Sequence, residues 1–356
     1  GNNTQLAARD ATAKITQTIT DFGLTRSTVK TSKLSLKQTR AMENQIKNDI
    51  LLRAITAYLR VIQSRESVKY AAQSVANIKK QTELEDAAVT AGGGLTSDVL
   101  QAKTQLAGAQ ARQIQFEGVL SAAKHEFEYV FESFPKNLNS LLLLQSVFDS
   151  LPKSLEEAEK LTLKKNPSLV AARITEEISK EGINTAKATL FPTIKGIISH
   201  SEKQDFGGIV GFKRESSAKV DFSYPLNLSL SEYAGKDAAV ESYLATSTRI
   251  RDQESMIKQM LRTTWDGLLT AQKNAQFLTN QARISNEFLE LARTERQAGN
   301  RTLLDVLNGE TAFINAQADA IAARIEVLIN SYTLLSLMGG LTLDSVQLIQ
   351  PNNVEN

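Results

Sequence analysis

The chain contains no cysteine and only two histidines among its 356 residues. The absence of cysteine excludes disulfides, thiol catalysis and cysteine-ligated metal sites within this sequence. His125 and His200 lie in unrelated contexts, so they do not indicate a multi-histidine metal site. The formal charge of +2 offers no electrostatic basis for binding nucleic acid. No run of 18 apolar residues is present, and we therefore expect no transmembrane helix.

Proline is scarce, and its positions mark boundaries. None of the six prolines lies in residues 24–91 or 231–298. Within these stretches apolar side chains recur at steps of three and four, which predicts two long helices. Each would be about 100 Å long at 1.5 Å per residue, so it needs neighbours along its whole length, as in a coiled coil or a helical tube.

The sequence repeats itself at an offset of 207 residues. Residues 89–111 and 296–318 carry the same Asp-Val-Leu, beginning at Asp98 and Asp305 (305 − 98 = 207). The offset continues without gaps on both sides of this motif. We predict two structural repeats, residues 1–150 and 151–356. Residues 153–207 have no partner at this offset, so we expect roughly fifty or more further residues at the N-terminus.

Glycines end each long helix. They are Gly92, Gly93 and Gly94 in the first repeat and Gly299 in the second. These glycines can adopt the left-handed conformation that closes a helix. Capping candidates for the returning helices follow: Thr96 or Ser97 in the first repeat, and Asn300 or Thr302 in the second. The returning helices are predicted at residues 97–134 and 303–337, so each repeat contains a helical hairpin with a glycine turn at its tip.

The apolar period changes to two between residues 189 and 226, which predicts a strand hairpin at 191–201 and 209–225. Residues 13–24, the partner of 220–231 in the repeat, also look like a strand. Each strand is close to the length of about nine to eleven residues that crosses a bilayer, with Phe191 and Tyr224 at an interface. A soluble sheet with one wet face has the same alternation. In lipid, two hairpins per chain would be too few to close a barrel, so several copies would be needed.

The order of these elements resembles the TolC family of outer membrane efflux and secretion channels. The likeness is carried above all by "NPSLVAARITEEISKEGINTAKATLFPTIKG" (166–196) and "AGNRTLLDVLNGETAFINAQ" (298–317). It implies a mainly α fold in which long helical hairpins form a trimeric α-barrel tunnel. Each subunit would add four strands to a 12-stranded transmembrane β-barrel. Segments 135–165 and 338–356 would form a mixed equatorial belt.

The same resemblance implies a function in transport. The chain would be a passive channel without cofactor or enzymatic activity, in the outer membrane of a Gram-negative bacterium with a long periplasmic extension. It would export type I secreted proteins or small toxic compounds. The implied partners are two further copies of the chain, outer membrane lipid, a periplasmic adaptor and an inner-membrane transporter.

The resemblance also implies a gate at the hairpin tips, where polar links close the periplasmic end. Arg301 matches a linking arginine, and Ser97 and Asp98 match positions on the facing hairpin that accept such links. Asp305 matches an acidic residue that forms a ring at the narrowest point. Alternatively, Ser97 and Asp98 are only residues of a helix start, and Arg301 is a solvated surface residue.

Two positions depart from the family pattern at these tips. Asn308 stands where a second acidic residue can occur, so we expect a less charged ring. Arg296 stands where an aromatic residue can occur, so we expect a salt bridge from Arg296 to Asp98.

A soluble coiled-coil scaffold or periplasmic adaptor is the alternative reading of the chain. The discriminating feature is the predicted strand hairpin 191–225, because an adaptor needs no bilayer-length strands flanked by aromatic residues. An enzyme has no support, since the glycines of the first tip are neither preceded by a strand nor followed by lysine.

Overall fold

The computed structural model describes residues 8–93, 95–135, 137–205, 210–224 and 231–346, apart from the side chain of residue 149. Gly94 of the predicted tip turn lies outside the described residues. Residues 347–356 of the predicted equatorial belt also lie outside them. The helices are α1 (Leu24–Thr90), α2 (Thr96–Phe131), α3 (Leu155–Lys165), α4 (Pro167–Ala188), α5 (Ser231–Gln297) and α6 (Leu303–Leu337). The strands are β1 (Arg9–Thr20), β2 (Thr193–Gln204) and β3 (Phe212–Ser223).

The long helices recur at the offset of the sequence repeat. Both α1 and α5 have 67 residues, and their first residues lie 207 positions apart (231 − 24). The returning helices α2 and α6 also begin 207 positions apart (303 − 96). The predicted bounds of α6 are confirmed, whereas α2 ends three residues earlier than predicted. Its C-cap, Glu132, adopts a left-handed conformation with φ of 54°, which ends the helix.

The chain forms two compact units, of which the first comprises residues 1–42 and 168–253. This unit contains an antiparallel sheet in the order β1-β2-β3. The predicted pair of strands is present: β2 lies two to three residues later than expected, and β3 lies within the expected 209–225. The strand prediction for residues 13–24 was wrong at its end, because β1 stops at Thr20 and a tight turn follows. The turn places Phe22 and Gly23 at φ of 52° and 101°, and α1 begins directly after it.

Polar side chains join α1 to α4 within this first unit. Ser27 Oγ lies 2.8 Å from Thr185 Oγ1, and Gln38 Nε2 donates to Thr175 Oγ1 at 2.8 Å. Lys30 Nζ forms an ion pair with the buried Glu181 carboxylate at 2.6 Å. The bond from Lys30 holds the pKa of Glu181 below its ordinary value, with further lowering by Ser27. These contacts place α4 along the start of α1 and lead the chain into β2.

The second unit comprises residues 43–167 and 254–356. Its main core packs Leu59 of α1, Leu261 of α5 and Tyr332 of α6 together, and each of these is fully buried. Segment 135–165 contributes further apolar side chains to the same core, and the Tyr332 hydroxyl donates to the Gln145 carbonyl at 3.0 Å. The predicted division of the chain at residue 150 stays a prediction.

By length and composition alone, α6 could cross a membrane, and it is the one described helix that passes this criterion. By this criterion the sequence prediction of no transmembrane helix is wrong, because polar residues interrupt the apolar residues of α6 and no single run reaches 18. Half of the most apolar window of α6 is buried within the chain, including Leu328 and Leu334 in the main core. Packing inside the protein is therefore enough to explain the apolar composition of α6.

Candidate functional site

One face of the sheet carries no charged side chain across its middle rows. Because paired residues of an antiparallel ladder point to the same side, the register assigns each side chain to a face. This uncharged face consists of Ala13, Ile15, Gln17, Ile194, Gly196, Ile198, His200, Ser216, Ala218, Val220 and Phe222. Most of its large apolar members are exposed, with Ile15 at 70% and Val220 at 73%, whereas Ile194 is half-buried. The part of the chain that the structure describes therefore leaves most of this face without apolar cover.

Aromatic residues bound the uncharged face at both ends. Phe212 lies at the end where β2 and β3 are joined, and Phe222 lies at the other end of β3. Near Phe222 in the sequence is Tyr224, and at the matching ends of β1 and β2 the rings of Phe22 and Phe191 stack at 5.3 Å. The charged residues of this face lie at the Phe212 end, where Arg214 Nε contacts Glu202 at 2.9 Å. Aromatic borders around an apolar band are typical of a membrane interface.

The opposite face, here named the charged face, is rich in lysine. Its charged members are Lys14, Lys195, Lys203, Lys213, Lys219, Asp10, Glu215 and Asp221. Serine and threonine occupy most of the remaining positions, and Ser199 Oγ lies 2.9 Å from Ser217 Oγ across the ladder. The two faces therefore differ in polarity across the middle rows of the sheet and up to the Phe222 end.

The hairpin tips are closed by glycines in the left-handed conformation. Gly92 has φ of 82° and Gly299 has φ of 78°, so the equivalent glycines of the two repeats make the same turn. Thr302 caps α6 as predicted, with its Oγ accepting from Asp305 N at 3.2 Å. The cap prediction for α2 was wrong, because its N-cap is Leu95 and no side chain accepts a capping bond there.

The two predicted gate arginines have partners within the chain. Arg296 forms an ion pair with Glu85 of α1, and its other Nη donates to the Arg301 carbonyl at 3.4 Å. Arg301 Nε donates to Glu295 at 2.5 Å, and its guanidinium lies 5.4 Å from the ring of Phe288. The pair that joins α5 to α1 at this tip is thus Arg296 with Glu85.

The remaining predicted gate residues lie on the first turns of the returning helices. Asp98 accepts from Ser97 Oγ at 3.5 Å, and neither group contacts Arg296 among the described contacts of these tips. Asp305 is half-buried and accepts from Thr302 Oγ1 at 2.8 Å. Asn308 is exposed and accepts from Gln105 Nε2 at 3.4 Å. Their assignment to a gate stays a prediction.

A buried polar cluster near these tips was missed by the sequence analysis. Glu310 of α6 accepts from Arg293 of α5 at 2.5 Å and from Asn77 of α1 at 2.8 Å. A cavity of about 200 Å³ borders the three side chains. The sequence does contain a signal for this cluster, because Glu310 lies four residues after Val306 and four before Ile314, on one apolar stripe of the helix. Both Val306 and Ile314 are buried.

The described residues contain no cluster of histidine, aspartate and glutamate that could hold a metal ion. The arrangement at the tips instead consists of ion pairs and caps between helices. Such groups can fix or release a helix hairpin, and they bring no nucleophile and base together.

Comparisons with known proteins identify the family. A profile of outer membrane efflux proteins matches residues 2–126 and 160–340. The outer membrane efflux protein BepC of Brucella suis is 24% identical over 315 residues, covering 87% of this chain and 68% of that protein. The outer membrane protein TolC of Escherichia coli is 22% identical over 359 residues, covering 97% of this chain and 72% of that protein.

Solved structures share the fold. The outer-membrane channel OprN superposes with a TM-score of 0.79 at 18% identity, covering 94% of this chain and 81% of that one. The relatives are channels and not enzymes. The chain therefore belongs to the outer membrane efflux protein family, that of the TolC-type efflux and secretion channels of the Gram-negative outer membrane.

Proposed function

We propose that three copies of this chain form a channel that exports cargo passively across the outer membrane. The described sheet has β1 and β3 as its edges, and no other described strand pairs with either edge. Lipid offers no partner for the backbone groups of an open edge, so a membrane sheet must close on itself. A fourth strand per subunit and three subunits would complete a barrel of 12 strands, as the family resemblance implies.

The observation that carries this proposal is the uncharged face with its aromatic borders. Phe212 and Phe222 are ten residues apart on β3, which corresponds to about 34 Å along a strand. A strand tilted by roughly 40° would then place these two aromatic borders about 25 Å apart, close to the height of the apolar band of outer membrane barrels, with the charged pair Arg214 and Glu202 just inside the Phe212 border. A soluble adaptor would have no use for such a band, so this feature favours the channel over the alternative.

We infer a gate at the hairpin tips. Three copies of Asp305 would form a negative ring at the narrowest point, and Asn308 would leave a second ring uncharged. The bond from Thr302 to Asp305 supports this, because it fixes the carboxylate at the start of α6. Arg301 would link the tips to Ser97 and Asp98 of a neighbouring subunit after leaving Glu295.

The partners in this proposal are a periplasmic adaptor at the tips and an energised transporter in the inner membrane. The cargo is either a protein of type I secretion or a small toxic compound. Transport through the channel itself needs no energy source within the chain.

Two adjacent positions on β3 test which face meets lipid. Val220 lies on the uncharged face and Lys219 on the charged face. Because the chain has no native cysteine, Val220→Cys and Lys219→Cys each introduce a single thiol. In outer membrane vesicles, a water-soluble maleimide should label Lys219→Cys, whereas only a lipid-soluble maleimide should label Val220→Cys.

The native chain, which lacks a thiol, is the control for background labelling. Crosslinking of the same membranes should yield a trimer. Equal labelling of both positions by the water-soluble reagent, together with a monomeric chain in the soluble fraction, would contradict the channel and favour a soluble scaffold.

A further inference from the structure

We propose that the charged face of the sheet makes the barrel lumen selective for anionic cargo, in particular acidic polypeptide. This inference rests on the proposed function, because the charged face lines the lumen only if the uncharged face meets lipid. The additional property is the negative charge of the cargo, which the proposed gate does not specify.

The charge balance of this face is positive. On the three described strands, five lysines and three acidic residues give a net charge of +2, or +6 for three copies of these strands (3 × 2). Near the joined ends of β2 and β3, Lys213 approaches Glu215 at 3.6 Å, and both side chains are exposed to solvent. In the middle rows Asp221 is paired in register with Lys195. The excess charge of the middle rows therefore comes from Lys14 and Lys219.

The spacing of these lysines suits an extended polypeptide. Lys14, Lys219 and Lys195 occupy three successive rows of the charged face. Successive rows on one face lie about 7 Å apart, and the side chains on one side of an extended peptide have the same spacing. An acidic peptide passing along the wall would thus meet the excess charges of Lys14 and Lys219 on two successive rows and then Lys195 beside Asp221. A small anion cannot contact successive rows at once.

Confinement strengthens this effect. A narrow pore with walls of low dielectric constant concentrates the potential of its charges and raises the local concentration of counter-ions. Lysine carries its charge on a flexible stem, so it can follow a moving carboxylate without a fixed geometry. The lumen would therefore favour carboxylates without binding them tightly enough to stop export.

Ion selectivity in planar bilayers is the first test. The variant pair Lys14→Gln and Lys219→Gln removes two positive charges from the charged face. The matched control, Arg9→Gln with Arg214→Gln, removes two positive charges from the other face of the same sheet. Both are made in the full chain carrying Asp305→Asn, so that the proposed acidic ring does not dominate selectivity. The first variant should lower the anion-to-cation permeability ratio by about threefold, and the control should leave it unchanged.

Block by charged peptides is the second test. In the channel that keeps Lys14 and Lys219, a poly-glutamate peptide added at the barrel side should block the current. Poly-lysine of equal length should not block it. Removal of Lys14 and Lys219 charges should weaken the block by about fivefold. If the lysine variant and the arginine control have the same anion-to-cation permeability ratio, the inference is overturned. It is also overturned if the lysine variant shifts this ratio but poly-glutamate does not block the channel that keeps both lysines. Failure of the native chain to form any channel would instead overturn the proposed function.

Discussion

The cluster of Glu310, Arg293 and Asn77 allows a quantitative prediction about the hairpin tip. Glu310 is almost fully buried, with 5% of its side chain exposed, whereas Arg293 is 31% exposed. Arg293→Ala would leave a buried carboxylate with Asn77 as its remaining partner among the contacts described above. Breaking a buried ion pair in this way costs about 3–5 kcal/mol. Because Arg293 is partly solvated, we expect a smaller cost of about 2 kcal/mol.

Amide hydrogen exchange measures this cost locally. A loss of about 2 kcal/mol in the free energy of opening corresponds to roughly thirtyfold faster exchange. The increase should appear at residues 303–314, in the first turns of α6, and not in α4. Glu310→Gln should have a smaller effect of about 1 kcal/mol, because its amide oxygen still accepts from Asn77 and Arg293 keeps Glu290.

A double substitution separates the two possible origins of the cost. Arg293→Met combined with Glu310→Met removes the charge together with its partner, and such replacements are often neutral. We therefore expect the double variant to exchange at nearly the native rate. If it exchanges as fast as Arg293→Ala, packing rather than an unpaired carboxylate is responsible. If Arg293→Ala exchanges at the native rate, the cluster does not hold the tip.

Three further predictions concern the gate, one ion pair and a pair of glycines. Asp305→Asn should weaken block by multivalent cations in planar bilayers, and an unchanged block would remove Asp305 from the gate. Glu181→Gln should destabilise the contact of α1 with α4 by about 1–2 kcal/mol at pH 7. Because Lys30 lowers the pKa of Glu181 in the folded state from its ordinary 4.5, the stabilising effect is present above that value and is lost as pH falls through the lowered pKa. The difference from native in hydrogen exchange should thus vanish in strong acid, and a constant difference would refute the linkage. Gly339→Ala should prevent accumulation of folded protein, since φ is 68° and an added Cβ would overlap the backbone of the last residue of α3. Gly92→Ala, at φ of 82° in open space, should cost only about 1 kcal/mol in thermal unfolding.

Helix bounds could be predicted from the sequence because the signals are local. The first long helix was expected to end at residue 91 and ends at Thr90, and α6 has the predicted bounds. Missing helix breakers and a repeated glycine turn are read residue by residue, without knowledge of the partner helix. The end of α2 was misplaced because Glu132, a residue without a breaker signal, adopts the left-handed conformation.

Side-chain partners at the tips could not be predicted in the same way. Arg296 was expected to reach Asp98 on α2, but its partner is Glu85 on α1. The sequence places both acids near the tip, and the rotation of each helix decides which one faces the arginine. That rotation is set by packing along the helices, including the cluster of Ile78, Ala102 and Leu307. A prediction from residue positions at the tip alone does not include the helix rotation that this packing sets.

The polarity of the sheet faces is a property of the pairing rather than of any single strand. On β1 alone, Gln17 interrupts the apolar side. The strand by itself therefore does not show whether this side faces solvent or lipid. In the sheet, Gln17 lies beside Gly196 and Val220, and the rows around it contain no charged side chain. The register also includes an irregularity between Thr18 and Thr20 that no alternation pattern predicts. Since a bilayer responds to whole rows of neighbouring side chains, each strand taken alone leaves the soluble sheet open as an alternative, whereas the pairing of all three strands favours the membrane.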